Sequence, residues 1–429
     1  MPMQRRTLLK GVVAGALGTL AATDLSTPAL AKSSKSSASG PRNIVIRRWQ
    51  TAAQFGEGTA AGVATSGDTL VIASPVGTTT YTDPYHGTTG SYEYATWTSP
   101  LVSIGFSANE AIASWNATTP GGTWLQVELR GVTVLGNTTK WYVMGRWAAD
   151  DTYIDRTSVN GQGDTDGTVY TDTFSAASGH EITAWQVRVT LYRPVGTSDT
   201  PTLRSIGAVA SQPPAAKYQA STPQRGLGIT LAVPQYSQEI HIGQYPQWDN
   251  GGEAWCSPTS TSMVVAYWGT GPTPTDYAWV DPSYADPWVD YAARNTYDYA
   301  YTGCGNWPFN TAYAGRFGLD AFVTRMRDFN EVGAFIEAGV PVVVSAAFKK
   351  NQVPGANYGT NGHLMVIVGF TASGDCVMND PYAPDDNSVR KVFGRSEFES
   401  AWQSSSGGTT YVIHSPSVAL PASPSQPNW

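Results

Sequence analysis

Charge is scarce in this chain: Asp, Glu, Lys and Arg supply 14% of its 429 residues, against about a quarter in an average globular protein. The charge present leans acidic, 33 carboxylates against 26 bases, for a formal net charge of −7. That balance leaves no electrostatic footprint for nucleic acid or an anionic membrane, and neither is expected as a partner. Long apolar runs are missing too. The stretch from Gly11 to Ala22 falls well short of the roughly 20 residues a membrane span needs. No Gly-x-x-x-x-Gly-Lys loop is present to cradle a phosphate. Histidine is rare, and His86, His180, His241 and His414 have no partners at metal-ligand spacing, so no metal or organic cofactor is expected. Cysteine is rarer still. Three thiols, an odd number, suggest a pair plus one free reactive group in an exported protein. Cys304 and Cys376 are the natural pair, leaving Cys256 free; the alternative is three reduced, buried thiols.

Ser, Thr, Gly, Trp and Tyr fill the place of charge, an uncharged polar surface that suits a secreted protein. The N-terminus reads Gln4-Arg5-Arg6-Thr7-Leu8-Leu9-Lys10, then the short apolar stretch, then Ala29-Leu30-Ala31 of small-x-small form. This is the pattern of a twin-arginine export signal over residues 1–31, cleaved near Ala31. Residues 32–42, Ser-rich and apolar-poor, read as a disordered spacer.

From residue 43 to 210 the chain is a succession of strand patterns. Leu125 to Arg130 and Trp185 to Leu191 alternate with period two, and Gly121-Gly122, Gly136-Asn137 and Gly161-Gln162-Gly163 are candidate turns. No long amphipathic helix interrupts them, so an all-β sandwich of jelly-roll type is expected. Trp97, Trp115, Trp124, Trp141, Trp147 and Trp185 fit either a sandwich core or a sugar-stacking face; alternation puts Trp185 inside, and an extracellular or cell-wall glycan stays a candidate partner. Asp164-Thr165-Asp166-Gly167 with Asp172 lacks the remaining ligands of a calcium loop and reads as a turn. Residues 211–228, with Pro213-Pro214 and no periodicity, form a linker.

The second domain, 229–417, has a mixed pattern. A helix is expected from Cys256 to Gly269, mixed helix and loop over Tyr277 to Tyr301, and a short helix over Glu331 to Glu337 capped by Asn330 and stopped by Gly339. Strands are expected at Pro341 to Ser345, Leu364 to Phe370 and Cys376 to Asn379, with a loose tail over 418–429. Cys256 opens its helix, where orphan N–H groups and the macrodipole favour a thiolate. His363 and Asp380 follow at the ends of neighbouring strands. Thiolate, imidazole and a carboxylate that fixes the ring are the parts of a thiol hydrolase. The N–H of Cys256 offers one donor to an oxyanion, and an upstream amide side chain a second.

Five blocks carry a family resemblance: Val233-Pro234-Gln235-Tyr236-Ser237-Gln238, Trp255-Cys256-Ser257-Pro258-Thr259-Ser260, Ala338 to Val344, Gly362-His363-Leu364 to Phe370, and Asn379-Asp380-Pro381. The second domain resembles the papain-like double-glycine (bacteriocin-processing) cysteine peptidases and their free-standing secreted relatives. The resemblance implies a papain-like α+β domain, Cys256 as nucleophile, His363 as base, Asp380 as orienting group and Gln238 as oxyanion donor. Gln247 lies closer to Cys256 in sequence, but Gln238 completes the Val-Pro block. Ser257 stands where the family often has Gly. The expectation is therefore a secreted cysteine peptidase acting on a peptide or protein through a thioester. A thiol amidase or acyltransferase on cell-wall peptides, and a catalytically silent glycan- or protein-binding protein, are the alternatives.

Overall fold

The computed structural model describes residues 42–213 and 218–429. The expected export signal, the expected spacer up to residue 41 and residues 214–217 of the expected linker lie outside the described residues. The chain is mostly β-sheet with few helices.

The first half is two seven-stranded sheets packed face to face. In one, β1 (Asn43–Trp49) pairs with the last strand of this half, Thr202–Gln212, which also pairs with Glu110–Thr118. Call the intervening strands β2 (Thr89–Thr98), β3 (Glu110–Thr118), β4 (Trp124–Thr133) and β5 (Ile182–Pro194), and the last β6 (Thr202–Gln212). In the second sheet β5 lies between β4 and β2, with Val189 opposite both Val127 and Trp97. Side-chain alternation turns Val187, Val189 and Leu191 inward with Trp185, all fully buried. Trp49 meets Trp97 and Trp185 edge-on, at ring centroid distances of 5.4 and 5.9 Å.

Five of the six tryptophans serve packing. Trp97, Trp115, Trp124, Trp147 and Trp185 are buried, and Trp141 is held between the guanidinium groups of Arg130 and Arg188, each 4.5 Å from its ring. The Asp164 segment is a turn: Asp164 Oδ1 accepts from the backbone N–H of Asp166 and Gly167 at 3.0 and 3.2 Å.

The second half is a third seven-stranded sheet with helices against it. Its main elements are α1 (Cys256–Tyr267), α2 (Pro287–Thr296), α3 (Trp307–Gly315), β7 (Asp320–Arg325), α4 (Phe329–Glu337), β8 (Val342–Phe348), β9 (Thr360–Phe370), β10 (Cys376–Asn379), β11 (Arg390–Phe393), α5 (Arg395–Ser406) and β12 (Thr409–His414). The antiparallel strand order is β7-β12-β8-β9-β10-β11.

Four local expectations are corrected. The helix expected from Asn330 begins at Phe329 and is capped by Asp328, whose carboxylate accepts from the N–H of Asn330 and Glu331 at 2.8 and 3.0 Å. The strand expected to follow His363, from Leu364, starts already at Thr360, so the histidine lies within β9. Cys304 and Cys376 are not paired; all three thiols are free and buried. Cys304 packs beside Ala293 O at 3.4 Å, whereas Cys376 sits on β10 opposite Phe370 and Phe393. The tail is docked, not loose. Pro427 O accepts from Ile46 N–H at 2.9 Å, and the buried Asn428 Nδ2 donates to Arg325 O at 2.8 Å.

The two halves share one continuous interior. Phe309 and Tyr313 of α3 and Ala292 of α2 belong to the sandwich's own core cluster, with Phe309 6.2 Å from Trp115 and 5.4 Å from Trp147. Asn116 pairs with β7 as a strand would: its Nδ2 donates to Ala321 O at 2.9 Å and its Oδ1 accepts from Ala321 N–H at 3.0 Å. Arg156, wholly buried, donates to Arg294 O at 2.7 Å and Ala148 O at 3.1 Å. Buried donors satisfied across the junction weld the halves together.

Candidate active site

Cys256 is the first residue of α1, and Trp255 before it provides no side-chain cap. The N–H groups of Cys256 and Ser257 at the helix start therefore have no side-chain cap. The helix is buried almost all round, as its run of Ser, Thr, Met and Val without charge requires. Ser260 Oγ donates to Leu364 O at 3.0 Å and so ties α1 to the strand carrying His363. Ser257 is an ordinary helical residue, absent from the positive-φ positions, with its Oγ 2.9 Å from Tyr411 Oη. No glycine is needed there.

His363 enters from β9, opposite Ala346 of β8. Its Nε2 lies 2.8 Å from Asp380 Oδ1, which leaves Nδ1 for the thiol, and the ring shares a hydrogen bond with Cys256. Burial pulls the imidazole down, but the hydrogen bonds to Asp380 and Cys256 and their charges outweigh it, pushing His363 up to about 9. Asp380, fully buried just after β10, accepts from four donors. These are His363, the Tyr382 N–H at 3.1 Å, Tyr358 Oη at 3.1 Å and Lys391 Nζ at 3.0 Å. Burial raises its carboxyl, and His363 and Lys391 reverse that to hold it below the usual carboxylate range. The same burial, with Asp380 alongside, pushes the Tyr358 phenol well up, so Tyr358 stays a donor.

The segment 233–239 is laced to the strand end that carries Asp380. Asn379 Nδ2 donates to Pro234 O at 2.8 Å, Gln238 N–H to Pro381 O at 2.9 Å, and Ser237 N–H to Asp386 Oδ1 at 2.7 Å. Gln238 is thereby set on the cleft, 2% exposed, its Nε2 donating to Glu253 O at 2.9 Å. Gln247 is exposed and does not line the cleft. The cleft is a narrow slot of about 30 Å³ bounded by Gln238, Glu253, Cys256, Tyr358, His363 and Tyr382.

All four residues singled out in the sequence therefore border or adjoin one slot: Cys256, His363 and Gln238 line it, and Asp380 stands behind His363. Sequence reasoning missed Tyr358, Lys391 and Tyr382. Tyr358 meets the His363 ring edge-on at 5.8 Å, and Lys391 reaches Asp380 across the β10–β11 hairpin, where it stands opposite Met378. A lysine one hairpin beyond a candidate carboxylate was the signal available.

The matches to known proteins agree with that layout. Residues 45–211 match the model of the Peptidase C39 N-terminal domain, and residues 230–410 that of the Peptidase C39 like family. None of the curated proteins matches the chain. Among solved structures, a similar chain is the Clostridium thermocellum N-terminal endo-1,4-β-D-xylanase 10B, CBM22-1–GH10 modules complexed with xylohexaose. It is 8% identical with a TM-score of 0.15, over 47% of this chain and 31% of that one, a likeness too slight to carry an argument. Residues 230–410, with Cys256, His363, Asp380 and Gln238 among them, are a domain of the Peptidase C39 like family, and a Peptidase C39 N-terminal domain precedes them.

Proposed function

We propose that this chain is an exported cysteine peptidase that cuts peptide bonds through Cys256, His363 and Asp380 on a papain-like α+β domain. The observation that carries the reading is the line from the Cys256 thiol to the His363 ring, and from its Nε2 to Asp380 Oδ1 at 2.8 Å, at one edge of an open slot. In the reaction His363 Nδ1 takes the thiol proton and the sulfur attacks the carbonyl carbon. The oxyanion receives the first-turn N–H of Cys256 and a Gln238 Nε2 proton. His363 then gives its proton to the leaving amine as the C–N bond breaks, and a thioester remains. Water, deprotonated by the same ring, attacks the thioester and returns the thiol and a free acid. Asp380 keeps its charge throughout and fixes the ring, held in place by Tyr358 and Lys391.

Residues 1–31 are the proposed export leader, and the mature chain would act outside the cytoplasm on a peptide or protein. The test is digestion of a peptide mixture by the full chain, read as new termini by mass spectrometry. Cleavage by the wild type, abolished in Cys256→Ala and His363→Ala, supports the reading. Absence of any cleavage by a chain whose Cys256 alkylates rapidly removes the peptidase reading and points to amide or acyl-transfer chemistry on the same thioester.

A further inference from the structure

The slot beside Cys256 carries negative charge and spare acceptors, and its one cationic group, the His363 ring, is already engaged by Asp380 and Cys256. Glu253 borders it and is exposed, and its carboxylate pairs with no cation among the described residues. Glu239 stands next to Gln238, half-buried, with Oε1 buried and without a partner among the described residues. Burial and the neighbouring Glu253 push its carboxyl up, only partly offset by His363 and Gln238, so the two acids are close enough to feel each other and the catalytic ring. Gln238 supplies the independent sign of a ligand: it is 2% exposed, it lines the slot, and its Oε1 is a buried acceptor with no donor. Buried acceptors without donors are rare in folded proteins, and two such oxygens, Gln238 Oε1 in the slot wall and Glu239 Oε1 on the next residue, with the Glu253 carboxylate at the slot's border, call for a donor that arrives with the substrate. Lys391 cannot provide it, being engaged on Asp380 at 3.0 Å, and no Lys or Arg lines the slot.

We propose that the slot selects substrates carrying an organic cation, an ammonium or guanidinium group, beside the bond that is cut, with Glu239 and Glu253 as counter-charges and Gln238 Oε1 as an acceptor. The inference rests on the peptidase reading for its substrate class, but the electrostatics of the slot do not depend on turnover. A cationic group there meets the Glu253 carboxylate and the Gln238 carbonyl oxygen, with Glu239 one residue behind the wall, in a partly desolvated cleft where attraction is screened less than at an open surface. An anionic group in the same place meets like charge.

The experiment uses the Cys256 thiol of the full chain as its own reporter. Methanethiosulfonates of matched size react when the thiolate attacks the sulfenyl sulfur, forming a disulfide and releasing methanesulfinate. The aminoethyl reagent is cationic and the sulfonatoethyl reagent anionic. Cys304 and Cys376 are 0% exposed and Cys256 is 6% exposed, and mass spectrometry assigns the adduct. The cation-to-anion rate ratio, divided by that of glutathione, is expected to exceed one by about fivefold or more at low salt. In Glu239→Gln/Glu253→Gln it should fall to the glutathione value. A wild-type ratio equal to glutathione's, or one that survives the double substitution, overturns the proposal. A second arm compares peptides with Lys or its neutral isostere norleucine next to the cut, each with a free or acetylated N-terminus. A Lys preference lost in the double variant assigns the cation to a side chain, and a preference only for the free N-terminus assigns it to an α-amine. No preference of either kind overturns the proposal. No cleavage at all, with the reagent ratio intact, overturns the peptidase reading and leaves the cation site standing.

Discussion

Asp380→Asn is the most informative single change. The amide keeps the shape of the carboxylate but has one acceptor oxygen, so either Tyr358, which donates to Oδ2, or the Tyr382 N–H, which donates to Oδ1, loses its acceptor, and the charge beneath His363 is gone. His363 is held at about 9 against an ordinary 6.5, a preference for the imidazolium of between two and three powers of ten, although burial alone acts the other way. With the Asp380 charge removed, burial is opposed by Cys256 alone and the preference for the imidazolium falls. The thiolate then loses its cationic partner. Alkylation of Cys256 by iodoacetamide at pH 6 should therefore fall by about a hundredfold or more. Peptide hydrolysis should fall further, by about a factor of 10⁴, because an amide also favours the wrong ring tautomer. Mass spectrometry of the labelled chain checks the first figure, with the fully buried Cys304 and Cys376 as unlabelled internal controls. Equal labelling rates at pH 6 in wild type and variant would refute the argument that Asp380 holds the imidazolium.

Lys391→Met removes a cation from a fully buried carboxylate, and the folded chain should lose about 3 kcal/mol, measured by urea unfolding; a loss under 1 kcal/mol would mean Asp380 is held by His363 and Tyr358 alone. Phe309→Ala empties space between Trp115 and Trp147 and is expected to cost about 3–5 kcal/mol. Both halves should still melt in one transition, and two separated transitions would contradict a shared core. Asp320 lies buried under Arg48 and His414, and these cations, overcoming its burial, hold it well below the usual carboxylate range. A depressed carboxyl contributes stability that is present above its unfolded value of about 3.9 and lost as pH falls through its folded one. Asp320→Asn should thus flatten the acid limb of a melting-temperature-against-pH curve while lowering it at neutral pH. His363 has the opposite sign: its raised value contributes stability fully below pH 6.5 and loses it as pH rises through about 9. His363→Ala should remove that alkaline decline.

Where the sequence was readable, local chemistry alone decided the structure. Cys376 to Asn379 reads as a strand from its own residues and is one, and Cys256 opens a helix because Ser257-Pro258 begins one well. The α4 start was misplaced by two residues because Phe329, an apolar residue bound for the core, hides the Asp328 cap before it. Helix α3 was not foreseen at all. Every one of its residues from Trp307 to Gly315 is buried, so no polar face marks a 3.6-residue period, and its cap, Asn306 accepting from Phe309 N–H, looks like loop sequence. Lys391 stands one hairpin away from Asp380 and left a faint signal, whereas the support of Asp380 by Tyr358 is a tertiary fact that no local pattern encodes. The tail's ordering has the same origin, since Asn428 finds Arg325, Arg327 and Glu331 only after the chain has folded.

Helix α3 also explains what the sandwich does for the site. It lies between the two halves, with Phe309 against Trp115 and Trp147 on one side, and Asn310 on the other, whose Oδ1 accepts from Thr261 Oγ1 at 3.2 Å. Thr261 belongs to α1, one and a half turns along from Cys256. Asn310 Nδ2 closes the loop before α3 by donating to Cys304 O at 2.8 Å and Asn306 O at 2.9 Å. A rigid path thus runs from the sandwich core through α3 to the helix that bears the thiol. A separate targeting module would instead be joined by a polar, lightly buried surface and free to move. Here the junction is apolar at its centre and ringed by buried hydrogen bonds from Asn116 and Arg156. The first domain therefore braces the helix that begins at Cys256: it fixes the bed on which that helix lies.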